Sequence, residues 1–393
     1  MTNHPTTLPV SRRSFLGGLG FITLAQTWPF RLAMAAAPTD KRLLLVILRG
    51  AMDGLGAVVP YSDPAYHDIR GKLAMEGNSD DLIAINSDFA FAKALAPVSA
   101  MYAKGEAAFM HATATPYRSR SHFDAQDLLE NGSIKPMGLG TGWLNRTLDA
   151  MHGKGIAIGP TIPLVMRGPA SIASWSPSIL PEVDDDFMAR AMRMYDDDEL
   201  LHNALAQTGM ASASGMDKNA KGQRAFIPMM QKAAEFLSGP SGARVGSIDI
   251  GGWDTHAQQG TGEGRLATNL AILAEGLSSF KTAMGTEWNN TALLVVTEFG
   301  RTARPNGTGG TDHGTGTTAL VLGGRVNGGR MLGDWPGMGK LYEDRDLLPA
   351  NDLRSLLKGT LAQHLGIPDE VLTASIFPDS AAAKPTPNLF RPA

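Results

Sequence analysis

Short, fully apolar runs alternate with stretches of helical spacing along most of this chain. Lys41 to Leu48 reads Lys-Arg-Leu-Leu-Leu-Val-Ile-Leu, a continuous apolar run bounded by charge and Gly, as a buried parallel strand requires. It ends in Arg49-Gly50-Ala51-Met52-Asp53-Gly54. Between Asp88 and Tyr102, residues Phe91, Leu95, Val98 and Tyr102 fall on one side of a predicted helix. Ala107 to Ala112 reads as a second strand and Ser121 to Leu129 as a helix. Strands are expected again at Val245–Ile250, Thr291–Thr297 and Ala319–Leu322, with helices at Leu266–Met284 and Asn351–Leu365. Strands alternating with helices predict an α/β fold, a mainly parallel central sheet between helices. From about 182 to 240 the chain is rich in Met, Ala and Asp with helical periodicity, and reads as a helical insertion. Its acidic runs, Asp184-Asp185-Asp186 and Asp196-Asp197-Asp198-Glu199, read as solvated helix starts.

The first residues follow a different pattern. Ser11-Arg12-Arg13-Ser14-Phe15-Leu16 leads into an apolar, Gly-rich stretch from Gly17 to Ala25, and Ala33-Met34-Ala35-Ala36-Ala37 offers small residues for cleavage. A basic region, a short apolar region and small residues in that order predict a signal peptide over residues 1–37. The arginine pair before Phe-Leu resembles the twin-arginine consensus. Its apolar stretch is shorter than the roughly 20 residues of a membrane span. The expected product is a single mature α/β domain, 38–393, periplasmic or secreted, with the twin-arginine translocase as partner during export and no stable membrane span.

Composition narrows the chemistry. A net charge of −3 gives no basic footprint for nucleic acid. The 45 glycines foretell many tight turns. With no cysteine, disulfides and thiolate ligands are excluded. Any metal must be held by His, Asp and Glu, which suits divalent Zn, Mn, Mg or Ca.

Candidate residues recur just after the predicted strands, where open α/β sheets place their ligand sites. Asp53 follows the first strand. Asp254 and His256 sit two apart on a loop framed by Gly251 and Gly252, able to reach one metal or one substrate group; turn capping is the competing role. Asp312 and His313 lie in a Gly/Thr-rich loop, Pro305–Gly316, whose backbone can approach a ligand closely. Glu298 follows Leu-Leu-Val-Val-Thr; a carboxylate at a buried strand end is costly unless metal-bound or paired, with Arg301 or Arg49 as possible partners. Ser121 begins a helix, where it is either a nucleophile facing an anion or an N-cap. Arg118 and Arg120 flank it as oxyanion ligands or solvated charges. His122 is open to the role of ligand, of base or of an ordinary helix-start histidine.

At these residues the chain resembles the exported bacterial family called domain of unknown function 1501. The resemblance rests on Ser-Arg-Arg-Ser-Phe-Leu at 11–16, Leu-Arg-Gly-Ala-Met-Asp-Gly-Leu at 48–55, Arg-Ser-His-Phe-Asp-Ala-Gln at 120–126, Thr-Gly-Trp-Leu-Asn-Arg at 141–146, Gly-Gly-Trp-Asp-Thr-His at 251–256, Thr-Glu-Phe-Gly-Arg-Thr at 297–302 and Gly-Thr-Asp-His-Gly at 310–314. That family is distantly similar to alkaline phosphatases and sulfatases. The resemblance implies an alkaline phosphatase-like sheet with a metal site at its rim. It assigns one or two divalent ions to Asp53, Asp254, His256, Glu298 and His313, with Asp312 as the alternative to Glu298. It places the nucleophile at Ser121 or His122, with a metal-bound water as the alternative attacker, and an anion-holding arginine at Arg120. Phe299 stands where a further ligand is expected. The implied function is metal-dependent hydrolysis of phosphate or sulfate esters, small or polymeric. The alternative is a degenerate relative that binds a ligand or partner without turnover.

Overall fold

A computed structural model describes residues 39–177, 193–194, 222–239 and 242–392. The expected signal peptide and most of the expected insertion, with its acidic runs, lie outside the described residues. The main sheet contains β1 (Arg42–Leu48), β2 (Ala107–Ala114), β3 (Gly155–Ile158), β4 (Ile172–Trp175), β5 (Val245–Ile250), β6 (Thr291–Thr297), β7 (Thr317–Leu322), β8 (Met331–Leu332) and β9 (Asn351–Asp352). Their order is β8-β2-β7-β6-β1-β5-β3-β4, with β9 alongside β2. All pairings are parallel except those of β7, which runs antiparallel to both β2 and β6. The reversal has a simple cause. No crossover helix separates β6 from β7, and a parallel neighbour needs one.

The helices that cover this sheet are α1 (Ala96–Ala103), α2 (His122–Asn131), α3 (Trp143–Ala150), α4 (Phe226–Ser238), α5 (Arg265–Met284) and α6 (Leu353–Leu365). Strand β1 is buried on both faces, so its seven residues read as one apolar run rather than an alternation. Leu44, Val46 and Leu48 pack with Val98 of α1, Leu237 of α4 and Leu273 of α5. Leu43, Leu45 and Ile47 pack with Leu129 of α2, Leu144 of α3 and Leu357 of α6. The expected α/β fold, a mainly parallel sheet between helices, is the one observed.

One predicted helix is shorter than expected. Ala90–Ala92 forms a strand between Val58–Val59 and Leu82–Ala84, and the helix begins only at Ala96. Pro97 explains the start, because a residue without an N–H fits the first helical turn and no later one. Phe91, Leu95, Val98 and Tyr102 still share one core, Phe91 from the strand and the rest from the helical end.

Register sets where chemistry can gather. Leu48 of β1 pairs with Ile250 of β5 on one side and Thr297 of β6 on the other. The chain therefore leaves all three strands at the same edge, bringing Gly50, Asp254 and Glu298 together. Antiparallel β7 starts at that edge, with Thr317 opposite Thr113 of β2. Residues 312–316 fold back along 298–302: Thr302 N donates to Asp312 O (2.9 Å) and Gly314 N to Gly300 O (2.8 Å). Among the described residues, no helix is long and apolar enough to cross a membrane.

Candidate metal centre

Three imidazoles and one carboxylate converge at this edge. His122 is the first residue of α2, Asp254 and His256 follow β5, and His313 precedes β7. Ligand atoms of His122, Asp254 and His313 all lie within 4.8 Å of one another. His256 adds its Nε2, 2.9 Å from Asp254 Oδ1 and 3.1 Å from His313 Nε2. His313 Nε2 is 3.0 Å from His122 Nε2 and 3.3 Å from Asp254 Oδ1, and His122 Nε2 is 3.5 Å from Asp254 Oδ2.

The opposite ring nitrogens fix the tautomers. His122 Nδ1–H donates to Glu298 Oε1 at 2.8 Å. His313 Nδ1–H donates to the carbonyl of Arg120 at 3.0 Å, an atom that can only accept. His256 Nδ1–H donates to Asp312 Oδ1 at 3.2 Å. With the proton on Nδ1, each ring presents an Nε2 lone pair when it is neutral, and the Nε2 atoms of His122 and His256 each face that of His313. Two bare lone pairs about 3 Å apart repel, so the set favours a positive species among them, a shared proton or a metal cation. A divalent ion meets that need. Tetrahedral ligands at the usual zinc distances stand about 3.3 Å apart, close to the spacings among His122, Asp254 and His313 and to those of His256 from Asp254 and His313. A His held through Nδ1 by a carboxylate or carbonyl is the usual outer support of a metal-bound imidazole.

Electrostatics agree with a charged, preorganised site. Glu298 is 1% exposed. Burial pushes its pKa up, but hydrogen bonds from His122, Gln126 Nε2 (3.1 Å) and Gly50 N (2.8 Å) outweigh this and hold it below the usual carboxylate range. Thr297 Oγ1 takes the second oxygen at 2.9 Å. An unpaired buried carboxylate would cost several kcal/mol; these partners offset it. The hydrogen bond to Glu298 raises the His122 pKa against the effect of burial. Burial, and then the neighbouring His122 charge, lower that of His313. Burial also opposes ionisation of Asp254, yet the fully buried Arg301 guanidinium, bonded to Asp254 Oδ1, brings its pKa down.

Several expected residues take other roles. Asp53 does not join the cluster. Its carboxylate is 1% exposed, with Oδ2 bonded to Arg70 Nη2 (2.6 Å) and Gln259 Nε2 (2.6 Å). Glu298 and Asp312 stand behind His122 and His256, Glu298 through Oε1 and Asp312 through Oδ1, which also accepts from Asn306 Nδ2 at 3.0 Å. Arg120 offers no free guanidinium for an anion: it is bonded to Glu343 (2.6 Å) and Asp346 (2.8 Å), and it is its carbonyl that faces His313. Arg118 is bonded to the carbonyls of Thr115 and Tyr117. The hydroxyl of Ser121 does not cap α2. The backbone N–H of Ser121 donates to the Tyr117 hydroxyl at 3.3 Å, and that hydroxyl donates to Asp124 Oδ2 at 2.9 Å. Phe299 packs against both His122 and His313, with ring centroids 4.8 and 5.4 Å away.

Two residues escaped the sequence reading: Arg301 as the partner of Asp254 rather than of Glu298, and Gln259. Arg49, the other expected partner of Glu298, pairs with Glu130 (2.8 Å) and Asp249 (3.0 Å).

Two glycines let the loops meet. Gly50 has φ +117°, and a Cβ there would sit 2.6 Å from Asp254 N. A Cβ on Gly310 would sit 2.4 Å from Thr255 O, between the two His-bearing loops.

Residues 234–376 match the model of the family described as protein of unknown function (DUF1501). The motifs at 251–256, 297–302 and 310–314 lie inside that match. No curated protein matches the chain. Among solved structures, the chain is similar to the C-terminal periplasmic domain of EcEptC from Escherichia coli in complex with Zn, at 9% identity and TM-score 0.38, covering 73% of this chain and 74% of that one. It is similar to a putative sulfatase from Bacteroides thetaiotaomicron, at 9% identity and TM-score 0.40, covering 84% and 72%. It is also similar to the lipoteichoic acid synthase LtaP from Listeria monocytogenes, at 9% identity and TM-score 0.40, covering 88% and 77%. These likenesses are loose, and the functional reading below rests on the site's own residues.

Proposed function

Taking the DUF1501 match as the premise, we propose that this chain is an exported, metal-dependent hydrolase of phosphate or sulfate esters. Residues 1–37 are its twin-arginine signal and 38–393 its single catalytic domain, working in the periplasm or outside the cell on an anionic ester or polymer. The observation that carries the reading is the convergence of three bare imidazole Nε2 atoms on the Asp254 carboxylate, each imidazole tethered through Nδ1. His122, Asp254, His256 and His313 hold one divalent ion, and of Zn, Mn, Mg and Ca it is Zn that best suits a nitrogen-rich set.

A bound divalent ion supplies Lewis acidity toward an ester oxygen and makes water a better nucleophile. The chain's own residues do the positioning. Glu298 holds His122 in one ring orientation, and Asp312 does the same for His256. Phe299, 3% exposed, closes the back of His122 and His313 against water. Arg301 keeps Asp254 ionised, so the site carries one carboxylate charge toward the cation. Ser121 is the side-chain nucleophile in this reading; the Tyr117 hydroxyl beside it takes the Oγ proton as it passes its own to Asp124 Oδ2.

Hydrolysis of aryl phosphates and aryl sulfates by the metal-loaded mature chain tests the reading, with Ser121→Ala as the companion variant. Turnover lost in the variant identifies Ser121 as nucleophile, and turnover kept identifies water. No turnover of either ester class with Zn, Mn, Mg or Ca contradicts the enzyme. It would leave binding without turnover, which the engaged guanidinium groups of Arg118 and Arg120 favour.

A further inference from the structure

Gln259 is fully buried and its side chain is shared among three loops. Its Nε2 donates to Asp53 Oδ2 at 2.6 Å. Its Oε1 accepts from Thr255 Oγ1 at 2.7 Å and from Thr311 Oγ1 at 2.8 Å. Thr255 lies between Asp254 and His256, and Thr311 directly precedes Asp312 and His313. The amide therefore stands at equal reach of both loops that carry ligands. Asp53, in turn, is locked by Arg70, whose Nη1 also donates to the carbonyl of Ala303 at 3.2 Å, beyond the Glu298–Arg301 segment. Arg301 joins from the other side, with Nε on Thr311 Oγ1 at 3.1 Å and Nη1 on Asp254.

We infer that Gln259, anchored by the Asp53–Arg70 ion pair, is a positioning residue that sets the distance between the Asp254/His256 loop and the His313 loop. The inference rests on the metal-centre reading above. A primary amide suits this place for a chemical reason. It donates to a carboxylate and accepts from two hydroxyls at once, which neither a carboxylate nor an alkyl chain can do at that position. Both threonine hydroxyls are then aimed at one oxygen, so neither loop can shift without breaking a buried hydrogen bond. Asp53 thereby acts on the ligands through Gln259 without touching a metal.

The test compares the mature full chain with Gln259→Leu. Leu keeps the bulk, leaves the Asp53–Arg70 pair intact and removes both threonine acceptors. Zn2+ affinity is measured by calorimetric titration, ligand geometry by the visible spectrum of bound Co2+, and metal-free stability by urea unfolding. The expected result is a folded variant that binds one ion per chain about 10- to 100-fold more weakly, as with loss of other outer-shell partners, with altered Co2+ bands. A folded variant with unchanged Zn2+ affinity and an unchanged Co2+ spectrum overturns the inference. If Gln259→Leu does not fold, Thr255→Val, which frees one loop only, is read the same way with the same two outcomes. A wild-type chain that binds neither ion overturns the metal centre and this inference together; a wild-type chain that binds, beside a variant that binds equally, overturns this inference alone.

Discussion

His122 Nδ1 donates to Glu298 Oε1 at 2.8 Å, and the rings of His122 and Phe299 lie 4.8 Å apart. Two consecutive residues at the end of β6, one charged and one aromatic, thus hold the same imidazole by its edge and its face. The hydrogen bond fixes which nitrogen carries the proton, and the aromatic contact limits ring rotation.

Glu298→Gln separates charge from shape. The amide can still accept from His122, but the negative charge that raises the basicity of the imidazole is gone. Zn2+ affinity is expected to fall about 10- to 100-fold with little change in the far-ultraviolet circular dichroism. Equal affinity in the variant would show that Glu298 does not act through His122.

The close approach of the ligand loops is tested at Gly310. An added methyl would meet Thr255 O and the carbonyl carbon of His256 at 2.4 Å, both backbone atoms that cannot swing aside. Gly310→Ala is expected to cost roughly 1–3 kcal/mol in urea unfolding, as overpacking does, and to weaken Zn2+ binding. Wild-type stability and affinity in this variant would mean that the two loops tolerate separation.

Acid sensitivity follows from two buried histidines outside the site. His111 donates through Nε2 to Val58 O (2.9 Å) and accepts at Nδ1 from Ala112 N (2.8 Å), so a second ring proton has nowhere to go. His364 donates to Arg42 O at 2.8 Å. Burial lowers each pKa to about 4. Unfolded imidazoles titrate near 6.5. Between those values the unfolded chain binds more protons, so stability is lost as pH falls. From pH 7 to pH 5 each histidine is expected to remove about 2 kcal/mol. His364→Gln, which can still donate to Arg42 O, should make the decline of urea midpoints between those pH values shallower. A slope identical to wild type would refute the role of His364.

Much of the scaffold was legible because buried parallel strands write themselves as apolar runs. Strands Val245–Ile250 and Thr291–Thr297 fall on the residues expected. The short strands Gly155–Ile158 and Ile172–Trp175 were not foreseen, since four residues carry too little periodicity. The candidate residues after strands do meet at one edge, as Asp254, His256, Glu298, Asp312 and His313 show. Which of them face the shared centre and which stand behind an imidazole was not legible. Whether a carboxylate faces an ion or the back of an imidazole depends on a few ångströms of loop path. Asp53 shows the difficulty best. Its place after the first strand suggests a ligand, but only the fold brings Arg70 and Gln259 to the same oxygen.

Whether His122, Asp254, His256 and His313 hold a metal is decided by metal analysis of the purified mature chain. About one divalent ion per chain is expected after dialysis, lost in the Asp254→Ala/His256→Ala double variant, together with a thermal stabilisation by added Zn2+ that the variant no longer shows. Well under one ion per chain, with no metal-dependent shift in melting temperature for the wild type, would contradict the metal centre.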